Sequence, residues 1–255
     1  MPIIKSKSFS RLKILIGPSL LIILWCFFSF FDIINPIFLP DISETISSFF
    51  SFFMEKGIIH LLWTLYRTLT GFLIASLIGI PLGLIVGMNK VIYNSVEVLV
   101  DFFRSLPASA LFPLFLLVFG VGNGSKIAIS VFTIFWTIFV SSIHGVWNIP
   151  QTRIRTARVY GASKFQLLKE VVIFDSLPQI SAGLRIGLSL SLIIVIVSET
   201  FTGGQYGIGN VLYESYLSYD SPRIYALIII AGFSGFFLNK SFLFLEKKFI
   251  HWSGR

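Results

Sequence analysis

The sequence predicts an all-α, polytopic membrane protein, and three observations carry that prediction. Of 255 residues, 55% are hydrophobic and only 13% charged, with 28 Phe and a mean hydropathy of +0.86, a balance foreign to soluble globular domains. Apolar runs of the roughly 20 residues that cross about 30 Å of hydrocarbon as a helix can be read about six times, at 14–31, 61–88, 105–121, 127–147, 180–201 and 224–245. The runs are continuous rather than alternating apolar and polar, which excludes the strands of a β-barrel.

The first run follows Lys5, Lys7, Arg11 and Lys13, and no small-residue cleavage pattern succeeds Trp25-Cys26-Phe27-Phe28. It is therefore read as an attached anchor rather than a signal peptide. Cys26 is the single cysteine, so an internal disulfide is impossible and a small apolar filler is the simplest role. Asn35-Pro36 and Leu39-Pro40-Asp41 then punctuate the chain. Asp41 or Ser43 is placed to cap a short Phe-rich segment that reaches Phe53 along the outer interface.

The second run carries Gly71, Ala75, Gly79, Gly83 and Gly87 at every fourth position, a smooth face on which another helix can approach closely. Static packing is the plain reading and a sliding contact the functional one. Pro81 inside this ladder removes a backbone hydrogen bond and predicts a local kink. In the third run Pro107 and Pro113 interrupt an apolar stretch, and Asp101 and Arg104 precede it at pairing distance along a helix. Irregular backbone in lipid is tolerated only when buried in protein or facing water, so this segment is a candidate pathway wall. A kink packed against neighbours is the alternative.

Charges within the spans are scarce, which gives each one weight. Arg67 and Glu199 fall in the outer halves of the second and fifth runs. Snorkelling to the interface is the expectation for each, with a pair across the bundle as the alternative. Arg185, near the cytoplasmic end of the fifth run, is also expected to snorkel. Beyond it, Gly203 to Gly209 reads as a flexible external loop, and Tyr213, Tyr216 and Tyr219 as an interfacial belt.

Orientation follows from the basic residues. With both termini in the cytoplasm, Lys5, Lys7, Arg11, Lys13, Lys90, Arg153, Arg155, Arg158, Lys164, Lys169, Lys240, Lys247, Lys248 and Arg255 fall inside, and only Lys56, Lys126 and Arg223 fall outside. The net charge of +8 is then an orientation signal and calls for no nucleic acid. No soluble domain, long-period repeat or low-complexity linker is evident, so residues 1–255 read as one transmembrane domain.

The stretch TRIRTARVYGASKFQLLKEVVIFDSLPQISAGLRIG, residues 152–187, breaks this apolar pattern. Ile154, Ala157, Gly161, Phe165, Leu168 and Val172 recur every three or four residues as one apolar face, while Arg155, Lys164, Gln166 and Lys169 project elsewhere. Gly161 within a helix costs about 1 kcal/mol relative to Ala, so it marks a turn or a close contact between two short helices in an L-shaped projection. Periodicity alone leaves two readings open: a surface that docks a partner, and a hairpin lying on anionic lipid.

The same segment resembles the cytoplasmic EAA loop of binding-protein-dependent ABC importer permeases: Glu-Ala-Ala, three residues, Gly, nine residues, Ile-x-Leu-Pro. Ala157, Gly161 and the spacing to Val171 fit it. The wider chain is similar to the branch serving nitrate, sulfonate, taurine and related solutes, through LWTLYRTLTGF (61–72), GIPLG (79–83), LPASALFPL (106–114), ARVYGAS (157–163), LPQISAGLR (177–185) and SETFTGGQYGIG (198–209).

The resemblance implies a type I (MetI-like) importer permease in the bacterial inner membrane, forming the path for a small anion-like solute. It also implies cytoplasmic ABC ATPase subunits, an external solute-binding protein and a second permease copy as partners, with no cofactor of its own. Residues 151–178 would be the coupling loop, with Ala157, Gly161, Ala162 and Phe165 as docking residues and Ile154, Arg155 and Leu168 beside them. Arg67, Arg104, Pro107, Glu199, Gly207 and Gly209 are the candidates for pathway or gate. Two departures stand out: Arg155 occupies the family's Glu position, and Phe174 the position of the Pro, although Leu177-Pro178 agrees with the branch. Either the ATPase offers Arg155 an acidic group or apolar contacts alone carry docking.

Catalysis is not expected. The chain has no G-x-x-x-x-G-K-[ST] motif to hydrolyse ATP. Gly232-Phe233-Ser234-Gly235 matches an intramembrane serine-protease motif but lacks a base in its span. His60, His144 and His251 are too scattered for a metal cluster. A secondary transporter working without an ATPase is the alternative, since kinked helices and intramembrane charges suit it as well.

Overall fold

A computed structural model of the chain describes residues 7–250, with side chains from residue 16 onward. Lys5, His251 and Arg255, and the side chains of Lys7, Arg11 and Lys13, lie outside the described set. The described residues form helices α1 (Lys7–Phe30), α2 (Ile42–Met54), α3 (Gly57–Gly87), α4 (Lys90–Ser105), α5 (Phe112–Phe119), α6 (Asn123–Trp147), α7 (Gln151–Val159), α8 (Lys164–Thr202), α9 (Ile208–Leu217) and α10 (Ser221–Phe249). Four of them, α3, α6, α8 and α10, are long and apolar enough to cross a bilayer.

One of the expected six spans, at 105–121, is corrected. Residues 105–121 are not one helix: Leu106 and Pro107 are extended, a 3-10 turn follows at Ala108–Leu111, and α5 is only eight residues long. The residue before a proline is driven out of the helical region, and α4 meets the Ala108–Phe119 stretch at 87°, a bent pair that adds a fifth crossing only if counted as one broken span. The first run, read at 14–31, falls in α1, a helix over Lys7–Phe30. Asp101 and Arg104 do not pair; both are exposed, and among the described residues the ion pairs are Arg67–Glu199, Arg153–Asp175 and Arg223–Glu55.

The chain divides into two compact units, residues 1–57 with 212–231 and residues 58–211 with 232–255. In the first, Trp25 Nε1 donates to the Pro40 carbonyl at 2.9 Å and its ring lies 5.3 Å from that of Tyr225, whose hydroxyl donates to Phe38 O at 2.8 Å. Asp41 takes the N-cap position of α2, yet its side chain makes no cap bond and instead accepts the Ser29 hydroxyl. Thr45 Oγ1 donates back to the Asp41 carbonyl at 2.9 Å.

In the second unit, α3 runs unbroken through Pro81 and lays its glycine ladder on α6. A Cβ on Gly71 would come within 2.7 Å of Ser130 Oγ, one on Gly79 within 3.3 Å of Ile138, one on Gly83 within 2.5 Å of the Phe139 carbonyl and one on Gly87 within 3.0 Å of Val146. Ala75 is fully buried in the same seam, among Ile134 and Ile138. Small residues are what allow two backbones this close in lipid. Helix α8 also packs on α6 and shares Ile138 with the α3 seam, through Gly187, while Gly145 of α6 meets Ser176. Hydroxyls stitch the three helices: Ser130 and Ser191 lie 2.8 Å apart, and Ser191 donates to Thr68 O at 2.8 Å.

Candidate functional sites

Polar and charged groups gather where α3, α6, α8 and the start of α9 meet. Thr64, Arg67 and Thr68 occupy one face of α3 at helical spacing, and that face is buried. Arg67, 4% exposed, pairs with Glu199 of α8, 0% exposed, at 2.5 Å. The expectation that both would snorkel is therefore overturned. Depth along a helix does not fix which way a side chain points, and here each points inward onto the other.

Each carboxylate oxygen of Glu199 is engaged. Oε1 takes Arg67, Oε2 accepts the Gly209 N–H at 2.9 Å, and the Thr64 hydroxyl lies 2.9–3.0 Å from both. Such a fully hydrogen-bonded pair offsets the desolvation that a buried charge otherwise suffers. Arg67 also donates from Nε to Asn123 Oδ1 at 2.8 Å and from a terminal nitrogen to Tyr206 O at 2.8 Å, and its guanidinium lies 5.5 Å from the Trp63 ring centroid. Two glycines make the closeness possible. A Cβ on Gly207, at φ +145°, would fall 2.6 Å from a Glu199 oxygen, and one on Gly209 2.6 Å from Glu199 Cβ.

The segment from Gly203 to Gly209, expected to be a flexible loop, is tied down. Lys126 Nζ donates to Gly203 O at 2.6 Å, Asn210 Nδ2 donates to Gly204 O and Tyr206 O at 3.0 Å each, and Gly207 N–H donates to His60 Nδ1 at 3.2 Å. Of the pathway candidates the structure thus brings together Arg67, Glu199, Gly207 and Gly209. Arg104 and Pro107 are exposed at the α4–α5 break, and among the described residues the ion pair of this group is Arg67–Glu199 alone. Thr64, Asn123, Lys126 and Asn210 were missed. The charge count places Lys126 outside the spans, whereas it lies in the first turn of α6 and is 1% exposed. The three-residue step from Thr64 to Arg67 was the one available signal.

A second constellation lies at the α7–α8 corner. Helix α7 ends in a Schellman motif: Gly161 N–H donates to Arg158 O at 2.9 Å and Ala162 N–H to Ala157 O at 3.0 Å, with Gly161 at φ +82°. Ser163 then opens α8 through a capping box with Gln166. From Leu167 to Val172 the helix is π-type, a wider winding often found where function requires it.

The apolar face expected to be free for a partner divides in two. Ile154, Ala157 and Leu168 pack on the chain's own cluster of Leu84, Val146, Ile149, Leu167, Val172 and Ile180, and Arg153 pairs with Asp175 to fasten α7 to α8. The outward side shows Val159, Tyr160 and Phe165, exposed by 85%, 87% and 71%, with Gly161 between them and half-buried Ala162 behind. Arg155 is exposed and has no carboxylate within 4.0 Å among the described residues.

Long apolar helices around a buried ionic knot define a multi-pass membrane protein. Residues 79–251 match the family model described as binding-protein-dependent transport system inner membrane component, and the chain belongs to that family. Three relatives bear on it. A putative ABC transporter permease of Methanocaldococcus jannaschii is 30% identical over 92% of this chain and 90% of its own length. The taurine transport system permease protein TauC of Escherichia coli is 27% identical over 92% and 88%. The bicarbonate transport system permease protein CmpB of Synechococcus elongatus is 33% identical over 76% and 70%. An inward-facing structure of the MetNI methionine ABC transporter shares the fold, with a TM-score of 0.65 at 20% identity over 78% of this chain and 96% of that one. The chain is an ABC importer permease subunit, a transport component of the membrane.

Proposed function

We propose that this chain, as a single permease domain, pairs with a second copy of itself to form the path of an ATP-driven importer for a small anion. Both termini face the cytoplasm of a bacterial cell, a separate subunit hydrolyses ATP, and an external binding protein delivers the solute. Residues 151–178 are the coupling loop. The observation that carries the reading is the two-sided corner at α7 and α8: one side presents Val159, Tyr160 and Phe165 outward, and the other packs on the ends of α3, α6 and α8. A partner gripping the outer side would move the helices, as ligand-driven rigid-body switching requires. Tyr160 and Phe165 join Gly161 and Ala162 as docking residues, whereas Ile154, Ala157 and Leu168 link the loop to the spans. Arg155, exposed and without a carboxylate partner among the described residues, is left to meet an acidic group of the ATPase.

Taurine, bicarbonate and nitrate, named for relatives of this chain, carry oxyanion groups, which supports an anion as the solute. The Arg67–Glu199 knot with Gly207 and Gly209 serves as a gate, and the α3–α6 seam moves as one body. Co-purification with the cognate ATPase tests the coupling assignment. Phe165→Asp should abolish the complex and leave the chain's thermal unfolding unchanged, because the side chain is exposed. Ile154→Asp should lower the unfolding midpoint instead. An intact complex with Phe165→Asp would refute the assignment.

A further inference from the structure

A cavity of about 300 Å³ lies beside the ionic knot, bounded by Trp63, Arg67, Asn123, Lys126, Gly204 and Tyr206 among others. We propose that it is a receiving site for a small oxyanion, with Lys126 as its principal ligand and Arg67 and the first turn of α6 as supports. The inference rests on the importer reading for the identity of the anion, but the site itself is argued from charge.

The cluster contains two cations, Arg67 and Lys126, and one carboxylate. Glu199 is consumed by Arg67, Thr64 and the Gly209 amide. Lys126 has no carboxylate within 4.0 Å among the described residues, and its one hydrogen-bond acceptor is Gly203 O. An ammonium carries three donors, so two remain on a side chain that is 1% exposed. Burial of an ammonium with no carboxylate at bonding distance favours an anion beside it.

The helix geometry adds to this demand. Gly122 and Asn123 open α6 at the cavity wall, and Gly122 supplies no side-chain cap, so the first-turn N–H groups and the positive end of a 25-residue helix lie beside Lys126. Trp63 and Tyr206, stacked 6.4 Å apart, give the cavity an aromatic wall against which the carbon part of a sulfonate or carboxylate can rest. A water occupies about 30 Å³ of liquid, so the volume has room for a nitrate, a bicarbonate or a sulfonate headgroup with its attached carbons and several waters.

Full-length chain in nanodiscs can be titrated with sodium nitrate, sodium bicarbonate or taurine against sodium chloride at constant ionic strength, reading the thermal unfolding midpoint. The wild type should show a saturable rise with at least one oxyanion beyond that in chloride. Lys126→Gln should weaken it by about tenfold or more, the scale of losing one charged ligand. Asn123→Asp should abolish it: Asp keeps the side-chain size and the Arg67 contact and suits a helix first turn, yet places a fixed negative charge in the cavity. If Lys126→Gln fails to fold, Asn123→Asp decides the matter.

No saturable response in the wild type, or an unchanged one in Asn123→Asp, would overturn the proposal. A response to an acidic binding protein with none to small anions would overturn it too, in favour of a docking site. ATP-driven uptake by the assembled complex without anion binding here refutes this site alone. Anion binding here without such uptake refutes the importer reading alone.

Discussion

Glu199 shows how much one buried carboxylate can organise. It holds Arg67 of α3, the Thr64 hydroxyl and the Gly209 amide at the start of α9. Glu199→Gln leaves Arg67 buried without its partner, a change that typically costs about 3–5 kcal/mol, so the unfolding midpoint in nanodiscs should fall well below that of the wild type. A loss under about 1 kcal/mol, the scale of an exposed pair, would contradict the geometry. Exchanging the two charges, Arg67→Glu with Glu199→Arg, should not restore stability, because the new guanidinium would face the Gly209 N–H in place of an acceptor. Full rescue would mean that simple attraction accounts for the pair. The sequence shows that Arg67 and Glu199 lie inside apolar spans, but not that they face each other. Facing depends on helix rotation, and α3 and α8 are apolar on nearly all sides. Lys126 was hidden for a different reason: next to Gly122 and Gly124 it reads as a loop charge, whereas α6 begins at Asn123.

Elements were legible wherever apolar length decides them. The runs read at 61–88, 127–147 and 224–245 correspond to Gly57–Gly87, Asn123–Trp147 and Ser221–Phe249. The fifth run was read from 180, yet α8 begins at Lys164, because hydropathy reports the hydrocarbon slab while the helix continues into water under Lys164, Lys169 and Glu170. The apolar periodicity at 154–172 was visible, but not its partner; half of that face covers the chain's own core. Only packing reveals which half. The glycine ladder is a local pattern, and its contact follows from backbone proximity: Gly83→Val would press a side chain onto the Phe139 carbonyl and Ser142. Overpacking of that kind costs about 1–3 kcal/mol, and a lower unfolding midpoint should report it. Gly232→Ala in α10, where a Cβ meets nothing within 4 Å, should be neutral or stabilise by up to about 1 kcal/mol. Equal effects from the two would argue against the α3–α6 seam.

For the whole molecule, composition and charge bias define a multi-pass helical protein, and the family match over residues 79–251 makes it an importer permease. Thr64 and Arg67 lie before the matched region, so the ionic knot joins α3 residues outside it to Glu199 and Gly209 inside it. The proposed transport cycle places energy input at the α7–α8 corner and the anion-facing groups near the start of α6, so the chain should be inert without an ATPase. Proteoliposomes provide the most direct test, with the chain alone or assembled with its ATPase and binding protein, and radiolabelled taurine, bicarbonate and nitrate as solutes. The account predicts uptake of at least one of these only in the assembled vesicles and only with ATP. Robust gradient-driven uptake by the chain alone would contradict it.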